Sequence, residues 1–321
     1  MAKCSVITGI SGQDGAYLAA LLLEKGHDVI GIVRPDKLHT PLLGLAYLGL
    51  RDHVRIMACD LCDYNSVSAL LTRWRIDEIY NLAAQSSVSR SFIIPGETLT
   101  FNMLSTLTLV RALHERAPHV RFYQASSSDM FGCVPHLPIM EDMAFHPLSP
   151  YAVSKAAAHW IAKNYRESFG LYIACGILFN HESPLRTRAF FVKKLICEAL
   201  EVKRGQRKTI AVGNLSLRRD FGYAPRYVEA MYLMLQHEAP GDYLICSGKS
   251  VSLKSIADHI CQHIGISPDV VTPEPSLFRP LDIPDIYGSS QRARERLGWT
   301  YDMDFMDVID ILIDAEIHNH L

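Results

Sequence analysis

Tyr151 and Lys155 stand four residues apart in the run Ser149-Pro150-Tyr151-Ala152-Val153-Ser154-Lys155. On a helix that spacing puts both side chains on one face. An ammonium beside a phenol stabilises the phenolate and lowers its pKa, which makes tyrosine a usable base near neutral pH. The same spacing also describes an ordinary surface pair. It gains weight from Ala125-Ser126-Ser127-Ser128-Asp129 upstream, a polar cluster closing an apolar run. A second constellation, Thr8-Gly9-Ile10-Ser11-Gly12-Gln13-Asp14-Gly15, follows the first apolar run. Glycines there let the backbone turn tightly and approach a pyrophosphate held on helix N-terminal amides. Phosphate binding and base chemistry thus have candidates in one chain.

The elements needed to position these groups are legible as alternating patterns. Residues 3–8, 28–33, 54–58, 76–82, 119–125 and 171–178 are short apolar runs that read as buried strands. Helical patterns cover 15–25, 65–75, 98–117 and 149–169 between them, whereas 180–226 reads as loops and short helices. Strand and helix alternating at this spacing predict an α/β fold, a Rossmann-type doubly wound parallel sheet that binds ligands at its carboxyl edge. A smaller C-terminal substrate-binding lobe is expected over that edge. The expected division is 1–178, with returning segments near 210–250, for the dinucleotide, and 179–209 with 251–321 for the substrate. Asp60, at the end of the third strand, either receives an adenine amino group or makes a turn. Arg34, at the end of the second, suits a 2′-phosphate and favours NADP over NAD, with Asp36 close by weakening that preference. Leu82, Ala83 and Ala84 border the nicotinamide side or form a tight turn.

Composition excludes several classes. Of 321 residues, 49% are hydrophobic and 21% charged, which is ample for a core. A formal net charge of −2 gives no basic field for nucleic acid, and no apolar span suggests a membrane partner or a signal peptide. The eight cysteines are scattered, and Cys59-x-x-Cys62 has no second pair at metal spacing. A cytoplasmic protein with reduced thiols and no metal is expected. His39, His114, His159, His318 and His320 read as solvated or core residues.

Seven blocks carry a resemblance: TGISGQDGAYLA (8–19), YNLAAQS (80–86), RFYQASSSDMFG (121–132), SPY…K (149–155), GILFNHESPLR (176–186), RRDFG (218–222) and YVEAMYLMLQ (227–236). With the GxxGxxG form of the glycine loop, the chain resembles the extended short-chain dehydrogenase/reductases that act on nucleotide sugars, and among them the GDP-mannose 4,6-dehydratase family. The resemblance implies a catalytic set of Ser127, Asp129, Tyr151 and Lys155. It implies NADP, with NAD the alternative, on Gly9, Gly12, Gln13, Asp14, Gly15, Arg34, Asp60, Leu61, Leu82, Ala83, Ala84, Tyr151 and Lys155. Ser86, Asn180, Glu182, Lys194, Arg219, Arg279 and Asp282 would meet a GDP-sugar substrate. Lys193, beside Lys194, reads as a solvated surface charge. A homodimer or homotetramer is implied, with contact through the helices near 98–117 and 150–169.

The implied chemistry oxidises C4 of a hexose, eliminates water across C5 and C6, and returns hydride to C6. The chain departs from the family pattern in places. Ser127 stands for a threonine, Asp129 and Asp282 for glutamates, Ala152 for a glycine and Leu148 for an arginine. Arg34-Pro35-Asp36-Lys37 replaces the paired arginines and serines that bind the 2′-phosphate and reach a neighbouring subunit. A carboxylate one methylene shorter at Asp129 affects elimination and spares the Tyr-Lys pair. A nucleotide-sugar 4-reductase or 4-epimerase, and after it a non-catalytic cofactor-binding protein, are therefore the alternatives to a 4,6-dehydratase.

Overall fold

Six of the apolar runs, joined by a seventh strand late in the chain, form one parallel sheet in the computed structural model, which describes residues 2–319. In chain order the first half is β1 (Cys4–Thr8), α1 (Gln13–Glu24), β2 (Asp28–Val33), α2 (Leu43–Tyr47), β3 (Arg55–Ala58), α3 (Tyr64–Arg73) and β4 (Glu78–Asn81). It continues through α4 (Val88–Ile93), α5 (Pro95–Arg116), β5 (Arg121–Ser127), α6 (Pro150–Phe169) and β6 (Ile173–Leu178). There follow β7 (Asn180–Glu182), α7 (Phe191–Lys203), β8 (Ile210–Val212), β9 (Arg218–Tyr223), α8 (Ala224–Gln236), β10 (Asp242–Ile245) and β11 (Ser250–Ser252). The last elements are α9 (Leu253–Ile264), β12 (Val271–Pro273), β13 (Asp285–Ile286), α10 (Gln291–Leu297) and α11 (Phe305–Asn319).

The sheet order is β10-β6-β5-β4-β1-β2-β3, and every pairing in it is parallel. Central strands such as β6 are buried on both faces, so they read as unbroken apolar runs rather than as alternation. One apolar cluster, including Ile7, Leu18, Tyr80 and Tyr227, covers one face under α1 and α8. Another, including Val6, Leu70, Leu109 and Ile173, covers the other under α3 and α5. β3 is less buried than its apolar run suggests, because it is the edge strand and has a neighbour on one side only.

The later chain is more ordered than loops and short helices. β7, β9, β11 and β13 make a second sheet, and β8 pairs with β12. α7 runs for 13 residues and buries Val192, Leu195, Ile196, Ala199 and Leu200. Those positions recur at helical spacing, and they pack with α9 and α11 into a separate core containing Ile256, Ile260, Val308 and Leu312. The helical signal was present in 180–226, beneath the more conspicuous polar residues around it.

Candidate active site

β1 and β4 are neighbours, yet the connections from them leave toward opposite edges of the sheet. Their carboxyl ends therefore open a crevice. A cavity of about 1110 Å³ lies there, between the sheet edge and the later lobe. Thr8 braces its base: the hydroxyl donates to Asn81 Oδ1 at 2.7 Å and accepts from the Leu82 and Ala83 amides at 3.1 Å each. Gly9 adopts φ +74°, and a Cβ on it would fall 2.9 Å from Ala83 N. Gly12 is different. A Cβ there would meet nothing of the protein closer than Gly9 O at 3.4 Å, so the fold itself does not need the glycine. It lines the cavity at the N-cap of α1, where no side chain caps the helix amides. Bare backbone and open amides at a helix N-terminus fit a phosphate, and so a dinucleotide.

The floor comes from β5 and α6. Ser149 Oγ accepts from Ala152 N at 3.1 Å and Pro150 occupies the first turn, so the helix start is fixed just before Tyr151. Tyr151 and Lys155 consequently share the cavity wall with Ser127 and Asp129 from the end of β5. Lys155 Nζ donates to Ala125 O at 3.0 Å and lies 6.0 Å from the Tyr151 ring centre. Burial lowers the Lys155 pKa to about 8, against a smaller upward pull from Asp14. Tyr151 does not follow the sequence expectation of a lowered pKa. Burial and the Asp129 charge push its phenol up, ahead of the opposing effects of Ser127 and Arg186. The lysine is engaged with a backbone carbonyl and is itself desolvated, which explains the difference. Asp129 is also raised, by burial, with Arg279, Arg219 and the Ser127 hydroxyl pulling the other way.

Ser86, Asn180, Glu182, Lys194, Arg219, Arg279 and Asp282 all line the same cavity. Asp282 Oδ1 lies 3.7 Å from Arg219 and 3.8 Å from Arg279, so both guanidiniums are gathered by one carboxylate. Arg219 also donates to Arg218 O and Ile283 O, which ties β9 to the segment entering β13. Lys194 Nζ donates to Ala211 O at 2.8 Å. Two guanidiniums and an ammonium along one wall suit a diphosphate.

Several single-residue expectations look different in place. Leu61 reaches the cavity, but Asp60 is not among its lining residues: its Oδ1 accepts from Cys62 N at 2.9 Å, the turn role. Arg34 lines the cavity mouth and pairs with Asp36 at 3.1 Å, both exposed. Gln13 and Asp14 line the cavity and are also engaged by neighbouring protein groups. Gln13 donates to His181 O at 3.0 Å and accepts from Ser183 Oγ at 2.8 Å, and Asp14 Oδ2 lies 2.9 Å from His181 Nε2. Lys193 is a correction. It is 3% exposed, donates to Pro184 O at 3.0 Å, and pairs with the buried carboxylate of Glu316. The partner lies 123 residues away, so no local pattern could reveal it.

His159 is a core histidine, hydrogen-bonded to Ser126 at 2.9 Å, and its pKa is lowered to about 4, chiefly by burial. Burial raises both Cys59 and Cys62, which keeps them as unreactive thiols. His320 lies outside the described residues.

Sequence reasoning passed over Thr8, His181 and Arg186. Arg186 Cζ sits 3.4 Å over the Phe190 ring and Nε lies 3.5 Å from Glu182, on the cavity wall. Its signal was available, since it closes the block 176–186 that carries part of the resemblance.

A sequence profile of the family described as "GDP-mannose 4,6 dehydratase" matches residues 6–312. "GDP-mannose 4,6 dehydratase 1" of Arabidopsis thaliana is 38% identical over 325 residues, covering 98% of this chain and 90% of the relative. "GDP-mannose 4,6-dehydratase" of Vibrio cholerae is 34% identical, covering 98% and 94%. Among solved structures, RMD from Pseudomonas aeruginosa complexed with NADPH superposes with TM-score 0.79 at 25% identity, over 98% of each chain. DesIV, a dTDP-glucose 4,6-dehydratase from Streptomyces venezuelae with NAD and TYD bound, superposes with TM-score 0.88 at 19% identity, covering 99% of this chain and 98% of that one, and speaks to the fold alone.

Proposed function

This chain belongs to the GDP-mannose 4,6-dehydratase family, and we propose that it converts GDP-mannose to GDP-4-keto-6-deoxymannose by internal hydride transfer from C4 to C6. The observation that carries this reading is the assembly of Ser127, Asp129, Tyr151 and Lys155 in one cavity between a glycine phosphate cradle and an Arg219–Arg279 wall. In this reading residues 1–178, with returning segments near 210–250, hold the cofactor, and 179–209 with 251–321 hold the sugar nucleotide.

The cofactor would lie along Gly9, Gly12, Gly15, Leu61, Leu82, Ala83 and Ala84, with Arg34 reaching the 2′-phosphate of NADP and NAD as the alternative. When bound, it supplies an acceptor for the C4 hydride, its return to C6, and a ring charge that favours the Tyr151 phenolate. Tyr151 Oη takes the proton of the 4-hydroxyl, and Ser127 Oγ hydrogen-bonds the same oxygen. The resulting ketone acidifies C5–H. Asp129 removes that proton and passes it to the 6-hydroxyl, which departs as water; once hydride has reached C6, the proton taken from the 4-hydroxyl replaces the one lost at C5. The raised pKa of Asp129 suits this work, because a carboxylate held up by burial binds a proton more readily than a solvated one. Arg279 and Arg219 pull against that rise, and they and Lys194 face the diphosphate.

Mass spectrometry of purified protein with GDP-mannose and catalytic NADP tests the proposal. Loss of one water with no net NADPH change is expected. No loss of water, together with NADPH oxidation on a GDP-4-keto-6-deoxy sugar, would make it a 4-reductase. Interconversion of C4 epimers without loss of water would make it a 4-epimerase.

A homodimer through α5 and α6, or a tetramer built from it, is part of the same proposal. Trp160 and Phe169 of α6 are 54% and 49% exposed, and Met103, Leu107 and Val153 are exposed on the same two helices. Replacing Trp160 with aspartate should shift the protein toward monomer in size-exclusion chromatography with light scattering. No helix among the described residues is long and apolar enough to cross a membrane, and the proposed place of action is the cytoplasm.

A further inference from the structure

Away from the cavity, three side chains of metal-binding type converge on the lobe surface. His259 and His263 stand four residues apart on α9, so both imidazoles leave one face of the helix. α11 packs against that helix and places Asp310 between them. Asp310 Oδ1 lies 2.7 Å from His259 Nε2 and 2.8 Å from His263 Nδ1. The three candidate ligand atoms fall within 4.8 Å of one another, the one such group among the described residues.

We propose that His259, His263 and Asp310 form a binding site for a divalent transition-metal ion, Zn²⁺ or its neighbours Co²⁺ and Ni²⁺. Two imidazoles with one carboxylate select these borderline ions over Mg²⁺ and Ca²⁺, which prefer all-oxygen cages. The His259-x-x-x-His263 spacing is visible in the chain, but the third ligand lies on a different helix and the cysteine pattern pointed away from metal. Ligand bonds of about 2.0–2.1 Å to one tetrahedral ion separate neighbouring donor atoms by about 3.3 Å. The two histidine–aspartate gaps must therefore open by about half an ångström. His259, His263 and Asp310 keep 29%, 33% and 38% of their side-chain surface exposed, which allows that adjustment and leaves a coordination position for water.

The surrounding charges favour a cation. Asp307 and Asp314 stand one turn either side of Asp310 on α11, both exposed. Of the ammonium groups beside α9, Lys254 is paired with Asp258 at 2.8 Å, and Lys203 of α7 donates to the Ile264 carbonyl at 2.6 Å. The ion would join α9 to α11, whose apolar sides already meet through Ile256, Ile260, Val308 and Leu312. Leu253, at the start of α9, borders the catalytic cavity, and His259 lies about 9 Å further along the helix. The site is thus structural, and its effect falls on stability rather than turnover.

The test uses the untagged full chain, stripped with chelator and titrated with Co²⁺ and then Zn²⁺. One equivalent should bind, with a Co²⁺ absorption spectrum of nitrogen–oxygen ligation and no thiolate charge-transfer band. At about a hundredfold excess over Kd the Tm should rise by about 5 °C. His263→Ala and Asp310→Ala should each weaken binding at least tenfold and remove the shift. His263→Gln keeps the side-chain size, so it separates loss of a ligand from loss of folding. A thiolate band, binding that survives these variants, or no binding at millimolar metal would each overturn the proposal. None of those outcomes bears on the dehydratase reading.

Discussion

Two ends of the cavity treat their charged side chains in opposite ways. At the loop end, Asp14 is held below the usual carboxylate range: burial alone would raise it, but the charge and hydrogen bond of His181 outweigh that. His181 has a carboxylate at Nε2 and the Phe179 carbonyl 2.7 Å from Nδ1, so both ring nitrogens face acceptors and the imidazolium is favoured. It also stacks on Tyr227 at 4.7 Å. At the floor, Asp129 is raised, and Lys155 is pulled down to about 8 with only a backbone carbonyl for a partner. At the loop end the ionisable groups pair with each other and hold β7 to α1, whereas on the floor Lys155 has a neutral carbonyl in place of a carboxylate partner. Asp14 lines the cavity beside the phosphate motif while also serving as the partner of His181, and perturbed groups without such a partner, as on the floor, are the ones expected to take part in chemistry.

The largest effect should come from the least compensated charge. Lys155→Met should cut turnover by about a thousandfold while leaving the protein as stable or more so. The sign follows from the pKa: folding lowers it from 10.5 to about 8, so the unfolded chain binds more protons between those values. This residue's contribution to stability thus rises with pH across that window, and at pH 7 its charge is a cost. Removing the charge offsets the lost hydrogen bond to Ala125, for a net gain of about 1 kcal/mol. A Tm that drops sharply in this variant would place Lys155 with the structural groups.

A matched pair of substitutions sharpens the contrast. Asp129→Asn should lower water loss by at least a hundredfold with little change in Tm. Asp14→Asn should cost about 3 kcal/mol, since it strands a buried imidazolium, and change turnover much less. The pH dependence distinguishes them further. Asp14 is lowered below 3.8, so its contribution is present above that value and lost as pH falls through its folded pKa. His181 is raised above 6.5, so its contribution is full below that value and lost as pH rises through its folded pKa. The Tm gap between wild type and Asp14→Asn should be widest between about pH 4 and 6.5 and should narrow above it. A gap independent of pH would mean that the pair is not ionic.

These contrasts also mark what the chain discloses before folding. The sheet was legible because buried parallel strands are continuous apolar runs, and the Tyr151–Lys155 face was legible because helical spacing is local. Ser149 and Pro150 fix that helix start within the same few residues. The ion pair of Lys193 with Glu316 was not legible, since it joins α7 to α11 across most of the later chain. For Asp60, both roles were compatible with the sequence, and the structure shows the turn to Cys62. Arg186 was visible inside the block 176–186, but its place on the wall depends on where β7 ends.

Arg34 gives the smallest expected effect and the most direct measure of cofactor choice. Its guanidinium and the Asp36 carboxylate are each 61% exposed, so the pair is worth well under about 1 kcal/mol and can open at little cost. Arg34 can therefore turn toward a 2′-phosphate at the end of β2, while Asp36 stands close enough to repel it. Arg34→Ala should raise the KM for NADP by about tenfold and leave that for NAD nearly unchanged. Asp36→Ala should shift NADP in the opposite direction by a smaller factor, because it removes a repulsion without adding a contact. Both effects should shrink as salt is raised, since the charges are exposed. Equal changes for NADP and NAD in either variant would assign Arg34 to the loop's shape rather than to the phosphate.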